Sequence, residues 1–168
     1  ADFKEFLDDL ETTLKASNGF GLAAPQVGVG LRVIAVQINM TMENKNSYKD
    51  MFEFPFTIMI NPKIKYIDGA KVESEYEGCL SIPEIRGKVK RPVKIFVEYF
   101  TPEGIKIQRF ARGYLARLIQ HECDHLNGIL FLDKVEKGKF ATKQTIKEFD
   151  LRREEDRCKI YERKYSKK

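Results

Sequence analysis

The chain has two histidines, and they stand four residues apart in His121-Glu122-Cys123-Asp124-His125. On an α-helix, positions i and i+4 project on one face about one turn apart, so both imidazoles can bind one metal ion. Glu122, beside the first of them, can then handle a proton on a water at that metal. A catalytic metal commonly has three protein ligands and one open position, so the third donor decides the type of enzyme. Cys123 sits roughly 200° around the helix from His121 and is expected to face away as a small core residue. Cys158 lies in the charged C-terminal segment, with no polar-site neighbours in sequence. Cys79, in Glu77-Gly78-Cys79-Leu80-Ser81-Ile82-Pro83, follows a glycine that lets backbone come close to a metal or ligand. Its thiolate would be a strong soft ligand; without the histidine pair, a buried apolar thiol would be the favoured reading.

These side chains need a frame. Tyr114, Leu115, Leu118, Ile119 and Leu126 recur at helical spacing across 113–127, and Gly128 supplies a stop. Residues 2–16 read as a second helix, with Phe3, Phe6, Leu7, Leu10 and Leu14 on one stripe and Asp2 and Glu5 placed for a capping box. Ser17-Asn18-Gly19 would end it. Residues 19–28 mix glycine, alanine and proline and read as a loop. A buried strand is expected over 31–38 and a long surface loop over 39–55. Residues 56–60, 63–67 and 70–76 are short β-like runs punctuated by Asn61-Pro62 and Asp68-Gly69. Residues 93–100 and 105–111 form a hairpin across Thr101-Pro102-Glu103-Gly104. From 139 onward the pattern predicts a charged C-terminal helix, with a thin apolar stripe of Ile146, Phe149, Ile160 and Tyr161. The expected fold is α+β: a single domain over 1–168, its antiparallel strands packed around the histidine-bearing helix, with a C-terminal helix over 139–168.

With 42% apolar residues, seven tyrosines and twelve phenylalanines in 168, the chain can bury a core, which excludes a disordered or collagen-like class. No run approaches 18 apolar residues, and Ala1-Asp2-Phe3-Lys4-Glu5 lacks the order of a secretory leader. Three cysteines are an odd, sparse set that suits a reducing compartment. The location expected is cytoplasmic in a bacterial setting, or organellar with the targeting segment absent, and no membrane partner is expected. The net charge of +5 lies wholly in 133–168, where thirteen Lys/Arg face eight Asp/Glu. Interleaved acids there, as in Arg152-Arg153-Glu154-Glu155-Asp156-Arg157, also describe an ordinary solvated helix.

Three segments together resemble the peptide deformylases. Gly19-Phe20-Gly21-Leu22-Ala23-Ala24-Pro25-Gln26 looks like the family's GxGLAAPQ motif, Glu77-Gly78-Cys79-Leu80-Ser81 like EGCLS, and Gln120-His121-Glu122-Cys123-Asp124-His125-Leu126 like QHExDHL. The resemblance spans about residues 2–135. It implies that Cys79, His121 and His125 hold the metal and that Glu122 is the acid and base. It implies also that Gln26 and the Leu80 N–H stabilise the oxyanion. The substrate implied is the N-formylmethionine of a nascent polypeptide, released as formate. By the same resemblance Phe20, Tyr114 and Leu118 line an apolar slot for the methionine, although residues of this type at helical spacing are also ordinary core. Gly19, Gly21 and Gly78 would let an extended peptide or ligand approach the backbone, and Arg86 matches a family arginine near the site. Two imidazoles and a thiolate suit Zn²⁺ by donor preference. The family resemblance implies Fe²⁺, with Ni²⁺, Co²⁺ or Zn²⁺ able to substitute. It also implies a ribosome contact for the basic C-terminal segment, with no sequence-specific nucleic-acid partner.

Two other readings use the same residues. An HExxH endopeptidase would take its third ligand downstream; no histidine follows His125, which leaves a carboxylate such as Glu148. A basic ribosome- or RNA-binding module with a structural metal would need four protein ligands, and no fourth is evident.

Overall fold

The computed structural model describes residues 2–40 and 50–146. Helix α1 (Phe3–Ser17) starts where the Asp2 side chain accepts from the Lys4 N–H at 3.4 Å. It stops at Asn18, whose left-handed φ of 54° turns the chain out of the helix. Strand β1 (Gly21–Ala23), a 3₁₀ turn over Ala24–Val27 and strand β2 (Val33–Ile38) follow. Then come β3 (Phe54–Tyr66), β4 (Val72–Cys79), β5 (Ile82–Pro92), β6 (Lys94–Phe100) and β7 (Lys106–Arg112). Helix α2 (Gly113–His125), a second 3₁₀ turn (Phe131–Lys134) and β8 (Val135–Thr142) come next. The strands form a five-stranded sheet in the order β1-β2-β3-β6-β7 and a three-stranded sheet β4-β5-β8. Every pairing is antiparallel, which gives the expected α+β class. Among the described residues no helix is long and apolar enough to cross a membrane.

Strand alternation puts successive β2 residues on opposite faces. Val33 and Ala35 meet Leu7, Leu10 and Leu14 of α1. Ile34, Val36 and Ile38 meet Leu115, Ile119 and Cys123 of α2, together with Met59, Ile95 and Val97. Each large aliphatic side chain buried this way contributes roughly 1.5–3 kcal/mol before entropy costs. A smaller cluster of Cys79, Val89 and Phe131 lies where the three-stranded sheet meets the 3₁₀ turn.

Four expectations need correction. Residues 21–23, inside the expected loop over 19–28, form strand β1 and pair with β2. Asn61-Pro62 does not separate two strands: it sits inside β3 as a bulge, with Asn61 at φ 51° and the register to β6 shifting between Ile60 and Lys63. Residues 82–92, unassigned from sequence, are the long strand β5. The C-terminal helix does not begin at 139, because residues 139–142 finish β8 and pair with β5 through Phe140, Ala141 and Thr142. Helix starts at 143, and the remainder of that segment, like residues 41–49 of the expected surface loop, lies outside the described residues.

Candidate metal centre

Helix α2 is buried from Leu115 to its end, including Arg117, Gln120, His121, Glu122, Asp124 and His125. Its apolar side faces the five-stranded sheet, so those polar groups must be satisfied elsewhere. β4 brings Cys79 to them. The donor atoms of Cys79, His121 and His125 all lie within 4.8 Å of one another, with Cys79 Sγ 3.3 Å from His125 Nε2. Cys123 packs in the core, as its position around the helix predicts, and burial pushes its thiol up to about 12.

The electrostatics of the cluster favour a cation. Burial works against the Cys79 thiolate, but hydrogen bonds with His121 and His125 outweigh it and hold the thiol at about 5. Burial likewise works against a charged His121, yet Cys79, Glu77 and Glu122 raise it to about 10. A thiolate and two imidazoles amid carboxylates thus draw positive charge to one point, which a divalent ion satisfies. The buried Glu122 Oε2 has no hydrogen-bond partner, as befits a carboxylate facing a ligand site. Burial lifts this carboxyl to about 7 even though His121 and His125 pull it down. The residues present therefore fit a metal with an acid/base beside it. Three donors converge among the described residues, fewer than the four a structural zinc takes.

Glu77 is the functional residue that sequence reasoning left without a role. Its Oε2 lies 3.1 Å from His121 Nδ1, which fixes the ring and leaves Nε2 for a metal. Arg91 grips Glu77 with a two-pronged contact at 2.6 and 2.8 Å. Arg117 adds a third bond to it at 2.7 Å. Burial alone would raise the Glu77 carboxyl; Arg91 and His121 overcome that and hold it at about 2. Arg91 also donates to Asp124 at 2.8 Å, and Lys134 reaches the other Asp124 oxygen at 2.6 Å. Glu77 and Asp124 stand inside the quoted motifs, which was the one available signal.

Strand β1 and the 3₁₀ turn after it supply the opposite wall. Gln26 is oriented by the Ala23 N–H, which donates to its Oε1 at 2.8 Å. Its Nε2 then points at Ser81 Oγ, 3.1 Å away, and at Cys79 Sγ, 3.4 Å away. A Cβ on Gly21 would come within 2.3 Å of Glu122 Oε1, so glycine here makes room for that carboxylate. A Cβ on Gly19 would meet Leu80 Cδ1 at 3.0 Å. Phe20 and Tyr114 pack edge to face with centroids 5.6 Å apart, beside buried Leu118. Arg86 turns back along its own strand: its guanidinium donates to the Pro83 and Ile85 carbonyls and lies over Gly78.

A cysteine and two histidines converging beside a buried glutamate, between a helix and an antiparallel sheet, are the equipment of a metal-dependent hydrolase. The polypeptide deformylase family model matches residues 1–141. Peptide deformylase 1 of Nitrosomonas europaea is 42% identical over 130 residues, which are 77% of this chain and 71% of that protein. The peptide deformylase of Synechococcus elongatus in complex with actinonin has a TM-score of 0.70 at 36% identity, over 82% of this chain and 67% of that one. A class I type b peptide deformylase from Acinetobacter baumannii, bound to Met-Ala-Ser, has a TM-score of 0.70 at 36% identity, over 80% and 82% of the two chains. The chain belongs to the polypeptide deformylase family, metal-dependent enzymes that remove the N-formyl group from new polypeptides.

Proposed function

We propose that Cys79, His121 and His125 hold a single Fe²⁺, with Zn²⁺, Ni²⁺ or Co²⁺ able to replace it, and that Glu122 moves the protons of deformylation. The observation that carries this is the convergence of those three donors beside a buried glutamate oxygen without a partner. When bound, the ion supplies a water of lowered pKa and positive charge beside the formyl oxygen. Glu122 accepts the proton that the attacking water loses and returns it to the departing amine, so one carboxyl serves both halves of the reaction. A carboxyl near neutrality is suited to both tasks. Gln26 Nε2 and the Leu80 N–H donate to the oxygen on which negative charge develops.

The substrate is an N-formylmethionyl nascent peptide, its extended backbone lying along Gly19, Gly21 and Gly78. The methionine side chain takes the slot beside Phe20, Tyr114 and Leu118, and Arg86 lies near the emerging peptide. Residues 1–168 act as one domain around α2, and the basic 139–168 segment contacts the ribosome. Formate release from formyl-Met-Ala-Ser by anaerobically purified, Fe²⁺-loaded protein tests the assignment. Glu122→Ala is expected to bind the metal without turnover, and Cys79→Ala to lose both. Metal retained by Cys79→Ala would move the third ligand elsewhere; retained metal without formate release in either protein would revive the endopeptidase reading.

A further inference from the structure

Helix α1 covers only part of one face of the five-stranded sheet. It packs on β1, β2 and the start of β3 through Leu22, Val33, Ala35 and Ile58. The same face continues across the far end of β3, β6 and β7, where its side chains are aromatic or charged. In β6, Ile95, Val97 and Tyr99 point into the core, so Lys94, Phe96, Glu98 and Phe100 point out. The register sets Phe110 against Phe96 and Lys106 against Phe100. Phe96 and Phe110 meet edge to face at 5.2 Å. Phe110 is 56% exposed and Phe100 40% exposed.

The register places five cations on the same face as these rings: Lys63, Lys65, Lys94, Lys106 and Arg112. Lys94 Nζ lies 4.6 Å from the Phe110 centroid and Lys65 Nζ 5.8 Å from that of Phe96. Among the described residues one carboxylate, Glu98, stands with them, contacted by Lys65 and Lys106. Positive charge on the edge strand β7 would by itself be explained as protection against strand addition. That explanation does not extend to Lys63 and Lys65 in β3 or Lys94 in β6, which are inside the sheet, nor to the exposed rings.

We propose that this face binds single-stranded RNA without sequence preference, its cations on phosphates and Phe100 and Phe110 stacked on bases. Open sheets that carry aromatic rings among basic side chains suit unpaired bases, because every base offers a π-face and every linkage a phosphate. A cleft of about 400 Å³, bounded by Arg32, Lys63, Glu98, Phe100 and Lys106, gives one nucleotide room at the end of the face. Charge argues against a second copy of the chain, whose identical face would oppose five cations to five. It argues equally against the chain's own 133–168 segment, which has a surplus of Lys and Arg. Helix α2 lies on the other side of the sheet, so the metal cluster stays free while the face is occupied.

The test is fluorescence anisotropy of a labelled ten-nucleotide oligouridylate with the full chain, from 50 to 300 mM salt. Binding is expected with a log–log salt slope of about −3, since each phosphate neutralised on a single strand contributes about −0.7. Phe110→Ala and Phe100→Ala should each weaken binding about tenfold, and Lys94→Glu with Lys106→Glu should remove it. Formate release should be unchanged in all these variants, which shows them folded and separates this inference from the deformylase assignment. A chain cut at 142 that still releases formate, and so is folded, should bind as the full chain does. Absence of binding at 50 mM salt overturns the proposal. So does binding that survives the face variants, that vanishes with residues 143–168, or that is matched by duplex RNA or by phosphatidylserine vesicles.

Discussion

Gly21 and Glu122 come from distant parts of the chain and compete for the same few cubic ångströms. An alanine at 21 would set its Cβ 2.3 Å from Glu122 Oε1 and 2.6 Å from Cδ, so the carboxyl must move. Proton transfer tolerates little displacement, and a shift near 1 Å costs about a hundredfold in rate. Gly21→Ala is therefore expected to lower kcat about a hundredfold with metal content unchanged, as read by formate release and metal analysis of one preparation. Full activity in that variant would show that the carboxyl keeps its working position despite the added Cβ. Gly78 makes the contrast: a Cβ there meets the Arg86 guanidinium at 2.3 Å, the far end of a flexible side chain that can swing away. Gly78→Ala should shift unfolding by less than about 1 kcal/mol in urea, with Arg86 displaced. The histidine pair was legible because its partners are four residues apart. Glu77 was not, because what defines it are Arg91, Arg117 and His121, 14, 40 and 44 positions downstream.

Those same contacts join elements. Glu77 belongs to β4, Arg91 to β5, Arg117 and Asp124 to α2, and Lys134 to the 3₁₀ turn. Removing one member strands the charge of its partners in the interior, which is far costlier than losing a surface pair. Arg91→Ala is expected to destabilise the protein by about 3–5 kcal/mol in urea unfolding; a loss below about 1 kcal/mol would mean that water replaces the guanidinium. This ionic interior also explains why β5 escaped the sequence reading. Its inward positions are Gly87, Val89 and Arg91, so apolar alternation, the usual mark of a strand, is nearly missing. β8 misled for a related reason: residues 137–140 are all exposed and include Lys137 and Lys139, and pairing with β5 rather than local pattern makes the segment a strand. By contrast α1 and β6 bury clean apolar stripes, and β7 was readable from the turn residues that join it to β6.

At the scale of the whole molecule the proposed metal ligands come from both layers. Cys79 ends a strand of the three-stranded sheet, and His121 and His125 lie on the helix packed against the five-stranded one. An ion held by all three ties the layers together, and because it binds the folded chain it must stabilise that state. With free metal at a hundred times its dissociation constant the gain is about 2.7 kcal/mol. For a chain of this size each kcal/mol raises the melting temperature by about 2–4 °C, so chelation should lower it by about 5–10 °C. Cys79→Ala should melt at one temperature with or without Fe²⁺ or Ni²⁺, because the cross-link has lost one anchor. Glu122→Ala should retain the full metal-dependent shift, since it removes a proton carrier and not a ligand. Anaerobic calorimetry of the three proteins, each with metal and with chelator, measures this. An equal shift in Cys79→Ala would show that the two histidines hold the ion without the second layer.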